Sequence, residues 1–108
     1  MYYRTLLNIL ENTISRMDEI LRVVSEMTDI SIDEIKSRSR KREICEARQI
    51  FIYICHKDRG KTIVAISEYL GRKRSGITFQ YQTFDQQLRI YRLLKKKVDE
   101  IRDVVIHV

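Results

Sequence analysis

The chain has 108 residues, enough for one domain with a modest core, and its formal charge of +6 divides into −4 over residues 1–35 and +10 over residues 36–108. The strongly basic segment, residues 36–108, favours nucleic acid or an anionic lipid surface as partner, because cations release the counterions condensed on a polyanion. No apolar run approaches the roughly 20 residues of a membrane span and no signal peptide opens the chain, so we expect a cytoplasmic protein with no membrane contact.

Helical periodicity dominates the chain, which has no Pro, three Gly and no long stretch of alternating polarity. We predict an all-α fold, a compact helical bundle of five to six helices with long N-terminal and C-terminal helices. One long helix or two abutting helices over residues 5–28 carry the first apolar stripe, which consists of Leu6, Ile9, Leu10, Ile14, Met17, Ile20, Leu21, Val24 and Met27.

A short helix is predicted to begin at Ile32, because Ser31 and Glu34 have the spacing of a capping box. The basic run KSRSRKR, residues 36–42, then interrupts it, with Lys or Arg at five of seven positions. Such a run is either a solvated face or a surface shaped for a strongly anionic partner. The remainder of the chain has to decide between these two interpretations.

A third helix is predicted from near Glu43 to about Asp58, ended by Gly60 as a left-handed cap. Its two cysteines, Cys45 and Cys55, would be roughly 15 Å apart along the helix, which is too far for a disulfide. They are expected to be small buried hydrophobes. The predicted inward face consists of Ile44, Ala47, Phe51, Ile54 and Cys55.

The next segment has the spacing of a helix-turn-helix. Thr62 can cap a short helix that runs through Leu70, and Gly71 can end it. Ser67, Gly71 and Ile77 occupy the positions of a small crossing residue, a left-handed turn residue and an aliphatic anchor. The second helix would open at about Arg74, with its first turn facing a major groove.

Helical spacing then continues to the end of the chain, and its apolar positions are Ile77, Tyr81, Phe84, Leu88, Tyr91, Leu94, Val98, Ile101 and Val105. The pattern fits one continuous helix or two helices that break near Tyr91. Phe79 falls on the outward face, where both core packing and nucleic-acid contact remain open.

Catalysis has little support in the sequence. The two histidines, His56 and His107, have no evident nucleophile or ligand partner nearby in the chain, so we expect no enzyme, no metal site and no cofactor.

Three segments resemble one family. SRKREICEARQIFIYI is similar to the start of the DNA-binding C-terminal domain, domain IV, of the bacterial replication initiator DnaA, a Trp-repressor-like helix-turn-helix. VVSEMTDISIDEIKSRSRKRE resembles that domain's first two helices, and GRKRSGIT occupies the place of its Gly-Arg-Asp-His-Ser/Thr-Thr-Val signature. The resemblance covers roughly residues 20–101. We therefore assign residues 20–108 to this domain and residues 1–19 to an N-terminal helical extension.

The resemblance implies a set of DNA contacts. Arg40 would enter the minor groove, where negative potential is concentrated, and Lys41 and Arg42 would hold phosphates. The family's Arg-Gln pair, here Arg48 and Gln49, lies against the DNA backbone. Backbone amides at the start of a helix would meet a phosphate at Thr62, Ile63 and Val64. The expected set is completed by Lys61, Arg72, Lys73, Arg74, Ser75 and Thr78.

The chain departs from the family where bases are read. Lys73, Arg74, Ser75 and Gly76 stand where the family has Asp, His and two hydroxyl residues, and Thr83 replaces a Lys. Because Lys and Arg only donate, guanine O6 and N7 or plain phosphates become the natural partners. We expect that the family's initiator box is not the preferred site.

The predicted function is that of a stand-alone double-stranded DNA-binding protein, nucleoid-associated in a bacterium or phage, which regulates replication or transcription. No GxxxxGK[ST] phosphate loop occurs in these 108 residues. The stripe within residues 1–19 either packs on the body or forms a homodimer. The alternative function is a helical protein-protein interaction module with a basic docking face.

Overall fold

The computed structural model describes residues 16–107, which form six helices and no strand. Helix α1 is described over residues 16–28, and a π-helical turn, Ile54–Asp58, continues α3. The other helices are α2 (Ile32–Lys36), α3 (Arg42–Tyr53), α4 (Ile63–Leu70), α5 (Arg74–Ile90) and α6 (Arg92–Ile106). The predicted all-α bundle is confirmed. The apolar stripe before residue 16, and the homodimer predicted from it, lie outside the described residues.

Helix α1 buries most of its predicted stripe. Met17, Ile20, Leu21 and Val24 are at most 2% exposed. Met27, however, is 41% exposed, so its predicted place in the core is wrong. The helix ends one residue later, at Thr28, and the chain meets the core again at Ile30, which packs against it.

Side-chain caps start two of the helices as predicted. The backbone N–H of Glu34 donates to Ser31 Oγ at 3.1 Å, and the backbone N–H of Ala65 donates to Thr62 Oγ1 at 3.0 Å. Each bond satisfies one of the amides that a helix N-terminus leaves without a partner. The Glu34 carboxylate accepts from the Ser31 hydroxyl at 3.0 Å, so the two side chains also bond each other.

Helix α3 lies at the centre of the bundle. It continues into the π-helical turn through six consecutive buried residues, 50–55, so core surrounds it on all sides. Phe84 of α5 packs edge-on against Tyr53 at 5.8 Å between ring centroids. Cys55 is fully buried, and this burial raises the pKa of its thiol, as expected of a small apolar residue.

The helix-turn-helix forms at the predicted positions. Ser67 is 3% exposed where α5 crosses α4, and Ile77 is fully buried. Gly71 adopts the left-handed conformation with φ of 65°. The turn is closed by the backbone N–H of Arg72, which donates to the Ser67 carbonyl at 2.9 Å. Helix α5 begins at Arg74, where the sequence places it.

Helices α5 and α6 are separated by a single non-helical residue. Tyr91 has an extended conformation, φ −102° and ψ 102°, and is 58% exposed, so of the two alternatives the helix break near Tyr91 is the one observed. This extended residue changes the direction of the chain before α6 begins. Helix α6 packs on the bundle through three buried residues, Val98, Ile101 and Val105. It is also held by a salt bridge in which Arg102 makes two hydrogen bonds to the Asp58 carboxylate, at 2.8 and 2.9 Å. Within residues 16–107, no helix has the length and apolar character needed to cross a membrane.

Replacing Gly71 by Ala will destabilise the protein by about 1–2 kcal/mol, because a β-carbon is strained in the left-handed region. Gly76 is the matched control. It lies inside α5, and a β-carbon there would meet nothing within 4 Å, so Gly76→Ala should stabilise by up to about 1 kcal/mol. Urea unfolding followed by circular dichroism measures both. Shifts of the same sign would contradict the proposed role of the Gly71 conformation.

Candidate nucleic-acid interface

One cleft of about 670 Å³ separates the basic loop, residues 37–41, from the helix-turn-helix. On one side lie Arg38 and Arg40, and on the other lie Lys73 and the first turns of α5. This surface, called the interface cleft below, is lined by Arg38, Ser39, Arg40, Cys45, Arg48, Gln49, Gly71, Arg72, Lys73, Gly76, Phe79 and Gln80. Two basic segments more than thirty residues apart in the chain therefore share one face of the molecule.

Alternating Ser and Arg give the basic loop its shape. The backbone N–H of Ser39 donates to Ser37 Oγ, and that of Lys41 donates to Ser39 Oγ, each at 3.2 Å. Such local bonds to the backbone two residues ahead are a typical turn chemistry of serine. They turn the two serines inward, where they are half-buried, and leave Arg38 and Arg40 exposed. The loop thus presents its cations without using them for folding.

Arg48 lies beneath this loop, with 3% of the residue exposed. Its Nε donates to the Ile35 carbonyl at 2.8 Å, Nη2 to the Ser37 carbonyl at 2.6 Å and Nη1 to the Ser39 carbonyl at 3.3 Å. The resemblance implies that this arginine lies against the DNA backbone. In the structure it binds the carbonyl side of the basic loop, and the DNA contact stays a prediction.

Arg72 reaches the same loop from the helix-turn-helix. Its Nη2 donates to the Ser37 carbonyl, the oxygen that Arg48 also binds. Its Nε is buried and has no hydrogen-bond partner among residues 16–107. Arg72 is therefore only in part a surface residue of the interface cleft.

Helix α3 begins beside the basic loop, and α5 begins beside the turn of the helix-turn-helix. Each has a cationic residue at its N-cap position in place of a capping side chain. Lys41 and Lys73 are the N-cap residues of α3 and α5, neither makes a side-chain cap bond, and an arginine follows each. Capping side chains and acids are the stabilising choices at a helix N-terminus. Both starts lack a capping side chain, whereas α2 and α4 have Ser31 and Thr62; an acid, Glu43, is present in the first turn of α3 and none in that of α5.

The structure brings some of the predicted contact residues to the cleft. Arg40, Gln49, Arg72 and Lys73 line it, and Arg48 lies at its floor. Near it on α5, Arg74 and Ser75 are exposed and Thr78 is half-buried.

Other predicted contact residues lie outside the cleft lining. Lys41 is exposed at the start of α3, while Arg42 lines a separate recess with Asp29, Glu43 and Lys97. The segment Lys61, Thr62, Ile63 and Val64 forms the start of α4, where the side chain of Ile63 packs against the core. Its backbone amides remain the feature on which the predicted phosphate contact depends.

Sequence reasoning left Arg38, Gly76 and Gln80 out of the predicted contacts, although all three line the cleft. Arg38 could have been found from the alternation SRSR, which places it on the same side of the loop as Arg40. Phe79, open between two interpretations, is 69% exposed and lines the cleft, so core packing is excluded for it.

A left-handed Gly turn between two helices that cross at a buried Ser67, with exposed cations at the start of the second helix, defines a helix-turn-helix domain. The chain belongs to the family described as "Bacterial dnaA protein helix-turn-helix", which matches residues 17–83.

Its relatives carry the name "Chromosomal replication initiator protein DnaA". The relative from Picosynechococcus sp. is 31% identical over 91 residues, 83% of this chain and 20% of that protein. The relative from Bacteroides thetaiotaomicron is 29% identical over 90 residues, 82% of this chain and 19% of that protein. In Nostoc punctiforme, 41% identity extends over 56 residues, 52% of this chain and 12% of that protein. The chain thus spans about a fifth of the first two relatives.

Proposed function

We propose that residues 16–107 bind double-stranded DNA, with α5 in the major groove and the basic loop in the adjacent minor groove. The single observation that carries the proposal is the interface cleft, which has Arg38 and Arg40 on one side and Lys73 on the other. A recognition helix flanked by an arginine-bearing arm suits two neighbouring grooves of one duplex.

The free charge around the cleft supports the proposal. Six cations are exposed in the basic loop and at the two helix starts, and none forms a salt bridge within residues 16–107: Arg38, Arg40, Lys41, Arg42, Lys73 and Arg74. Away from the cleft, Arg89, Lys95 and Lys97 on α5 and α6 each pair with an acid, while Lys57, Arg92 and Lys96 are exposed and form no salt bridge within residues 16–107. Of the six cations around the cleft, Arg38, Arg40 and Lys73 line the cleft itself, and unpaired cations that share one surface favour a polyanion.

The uncapped starts of α3 and α5 support it as well. A cation at the positive end of a helix dipole lowers stability, but a phosphate placed there is attracted by the amides and the side chain together. Local choices that oppose stability are expected where a surface serves binding. The pairs Lys41–Arg42 and Lys73–Arg74 fit this description.

We further propose that the preferred site contains guanines opposite the start of α5. Lys73 and Arg74 offer only donors, and guanine presents two acceptors, O6 and N7, in the major groove. The DNA site that the family reads with Asp and His would then bind this protein poorly. Control of replication or of transcription remains a prediction drawn from the likeness to named replication initiators.

Selection of bound duplexes from a random pool, at about 150 mM salt, tests the proposal. A recovered motif with guanines is the expected result, since specific binding exceeds non-specific binding by several orders of magnitude. Binding without any motif would overturn base reading by α5. Failure to recover DNA at all would favour the helical protein-interaction module with a basic docking face.

Arg40→Ala and Arg74→Ala are predicted to act differently. Loss of Arg40 should weaken binding to all sequences about equally or shift the A·T preference, because it addresses the minor groove. Loss of Arg74 should change the preferred base at one position by roughly 1–3 kcal/mol. Competition binding with singly substituted duplexes measures both. If the two variants give the same profile, the assignment of α5 as recognition helix is wrong.

A further inference from the structure

The carbonyl oxygen of Ser37 accepts hydrogen bonds from two guanidinium groups that belong to distant parts of the chain. Arg48 donates from α3, with Nη2 at 2.6 Å, and Arg72 donates from the turn between α4 and α5. A carbonyl oxygen has two lone pairs and can hold both donors at once. The basic loop is thereby joined to the helix-turn-helix at a single atom.

This junction is costly for the folded protein by itself. Neither Arg48 nor Arg72 has a carboxylate partner within residues 16–107, so two cations face each other in a largely buried place. Burial first, and then the neighbouring Arg48 and Arg38, lower the pKa of Arg72, although arginine stays charged at neutral pH. Apolar residues would stabilise a bundle more simply than unneutralised buried charge.

We infer that Arg48 and Arg72 are positioning residues, which fix the basic loop relative to the turn that carries Lys73. The inference rests on the proposed function, because its benefit is the simultaneous fit of Arg40 and Lys73 to adjacent grooves. A loop that is already ordered loses less conformational freedom when DNA arrives, and the affinity rises accordingly.

A double-mutant cycle separates positioning from direct contact. Arg48→Lys keeps the charge but replaces a fork that spans three carbonyls with one ammonium. Arg72→Lys keeps the charge at the turn but replaces the planar guanidinium that holds the Ser37 carbonyl with a shorter, more strongly hydrated ammonium. Each should weaken DNA binding roughly three- to tenfold. In an Arg40→Ala background each should cost less than about twofold, because the residue that they position is gone. Equal losses in both backgrounds would overturn the inference.

Arg59→Lys is the matched control. Arg59 also donates from Nη2 to a backbone carbonyl, that of Val105, and it does not line the interface cleft. Its replacement should leave the DNA affinity unchanged. Urea unfolding of all three lysine variants reports stability, and the cycle with Arg72→Lys stands even where Arg48→Lys fails to fold.

A readout without DNA separates this inference from the proposed function. The amides of Ser39 and Lys41 donate to serine hydroxyls inside the loop, so their hydrogen exchange reports its order. In Arg72→Lys both amides should exchange roughly tenfold faster, while those in the centre of α3 keep their rates. Unchanged loop exchange overturns the positioning role whether or not DNA binds. Faster exchange in a protein that binds no DNA supports the junction and contradicts the proposed function alone.

Discussion

Raising the salt concentration from 50 to 200 mM is expected to weaken binding to duplex DNA by about 10³- to 10⁵-fold, with a log-log slope near −5 to −8. Each phosphate contact contributes about 0.9 to this slope, since each neutralised phosphate releases condensed counterions. The six exposed cations around the cleft would alone give roughly 0.9 × 6, close to −5. Half-buried Lys61 before α4 would extend it.

Two double variants test which cations produce this salt dependence. Replacing both Arg40 and Arg74 by Ala should reduce its magnitude by about 2, because two phosphate or groove cations are lost. Arg89 and Lys95 are exposed cations as well, but each already pairs with an acid on its own helix, so the same double replacement there should leave the slope unchanged. A slope near zero in the parent protein would favour docking on an acidic protein. Fluorescence anisotropy at several salt concentrations measures all three.

Helix boundaries could be predicted where local chemistry sets them. Ser31 and Thr62 cap their helices through side-chain bonds within three residues, and the positive φ of Gly60 and Gly71 follows from the place of glycine after an apolar helix. Each signal depends on neighbours in the chain. The break at Tyr91 has no such signal, because it lacks Gly or Pro and the apolar spacing is compatible with one helix or two.

The role of Arg48 could not be predicted from its surroundings in sequence. An arginine in the second turn of a helix that opens with charged residues has the local pattern of a solvated residue, yet this one is 3% exposed. Its burial arises because the chain before α3 folds back and places the carbonyls of Ile35, Ser37 and Ser39 over it. The intramolecular partners of this arginine are set by a tertiary arrangement, so neither local pattern nor resemblance could predict them.

The outer limit of the core is also a tertiary property. Met27 continues the periodicity of α1, and the sequence alone gives no reason to exclude it. In the folded protein the side chain is 41% exposed, although Ile30, three residues later, packs against the core. Periodicity therefore identified the buried face of the helix but could not show how far along its length that face is covered.

Phe84→Ala is expected to destabilise the protein by about 3–5 kcal/mol. Phe84 is fully buried on α5 and packs edge-on against Tyr53, so its removal loses transfer free energy and leaves a cavity beside the central helix. A domain of this size has a total stability of about 5–15 kcal/mol, so the variant could lose half of it. Urea unfolding at two protein concentrations gives the value. A loss below about 1 kcal/mol would show that this packing is not part of the core.

Phe79→Ala makes the same chemical change on the same helix, five positions earlier, where the side chain is 69% exposed in the interface cleft. Its stability should change by no more than about 0.5 kcal/mol. Its DNA affinity should fall, because an exposed aromatic beside Gly76 can reach a thymine methyl or a sugar in the groove. The two phenylalanines then separate the two faces of α5: one variant unfolds easily, and the other folds normally but binds weakly. If Phe79→Ala were as destabilising as Phe84→Ala, the outward face of α5 would be packed against protein and could not enter a major groove.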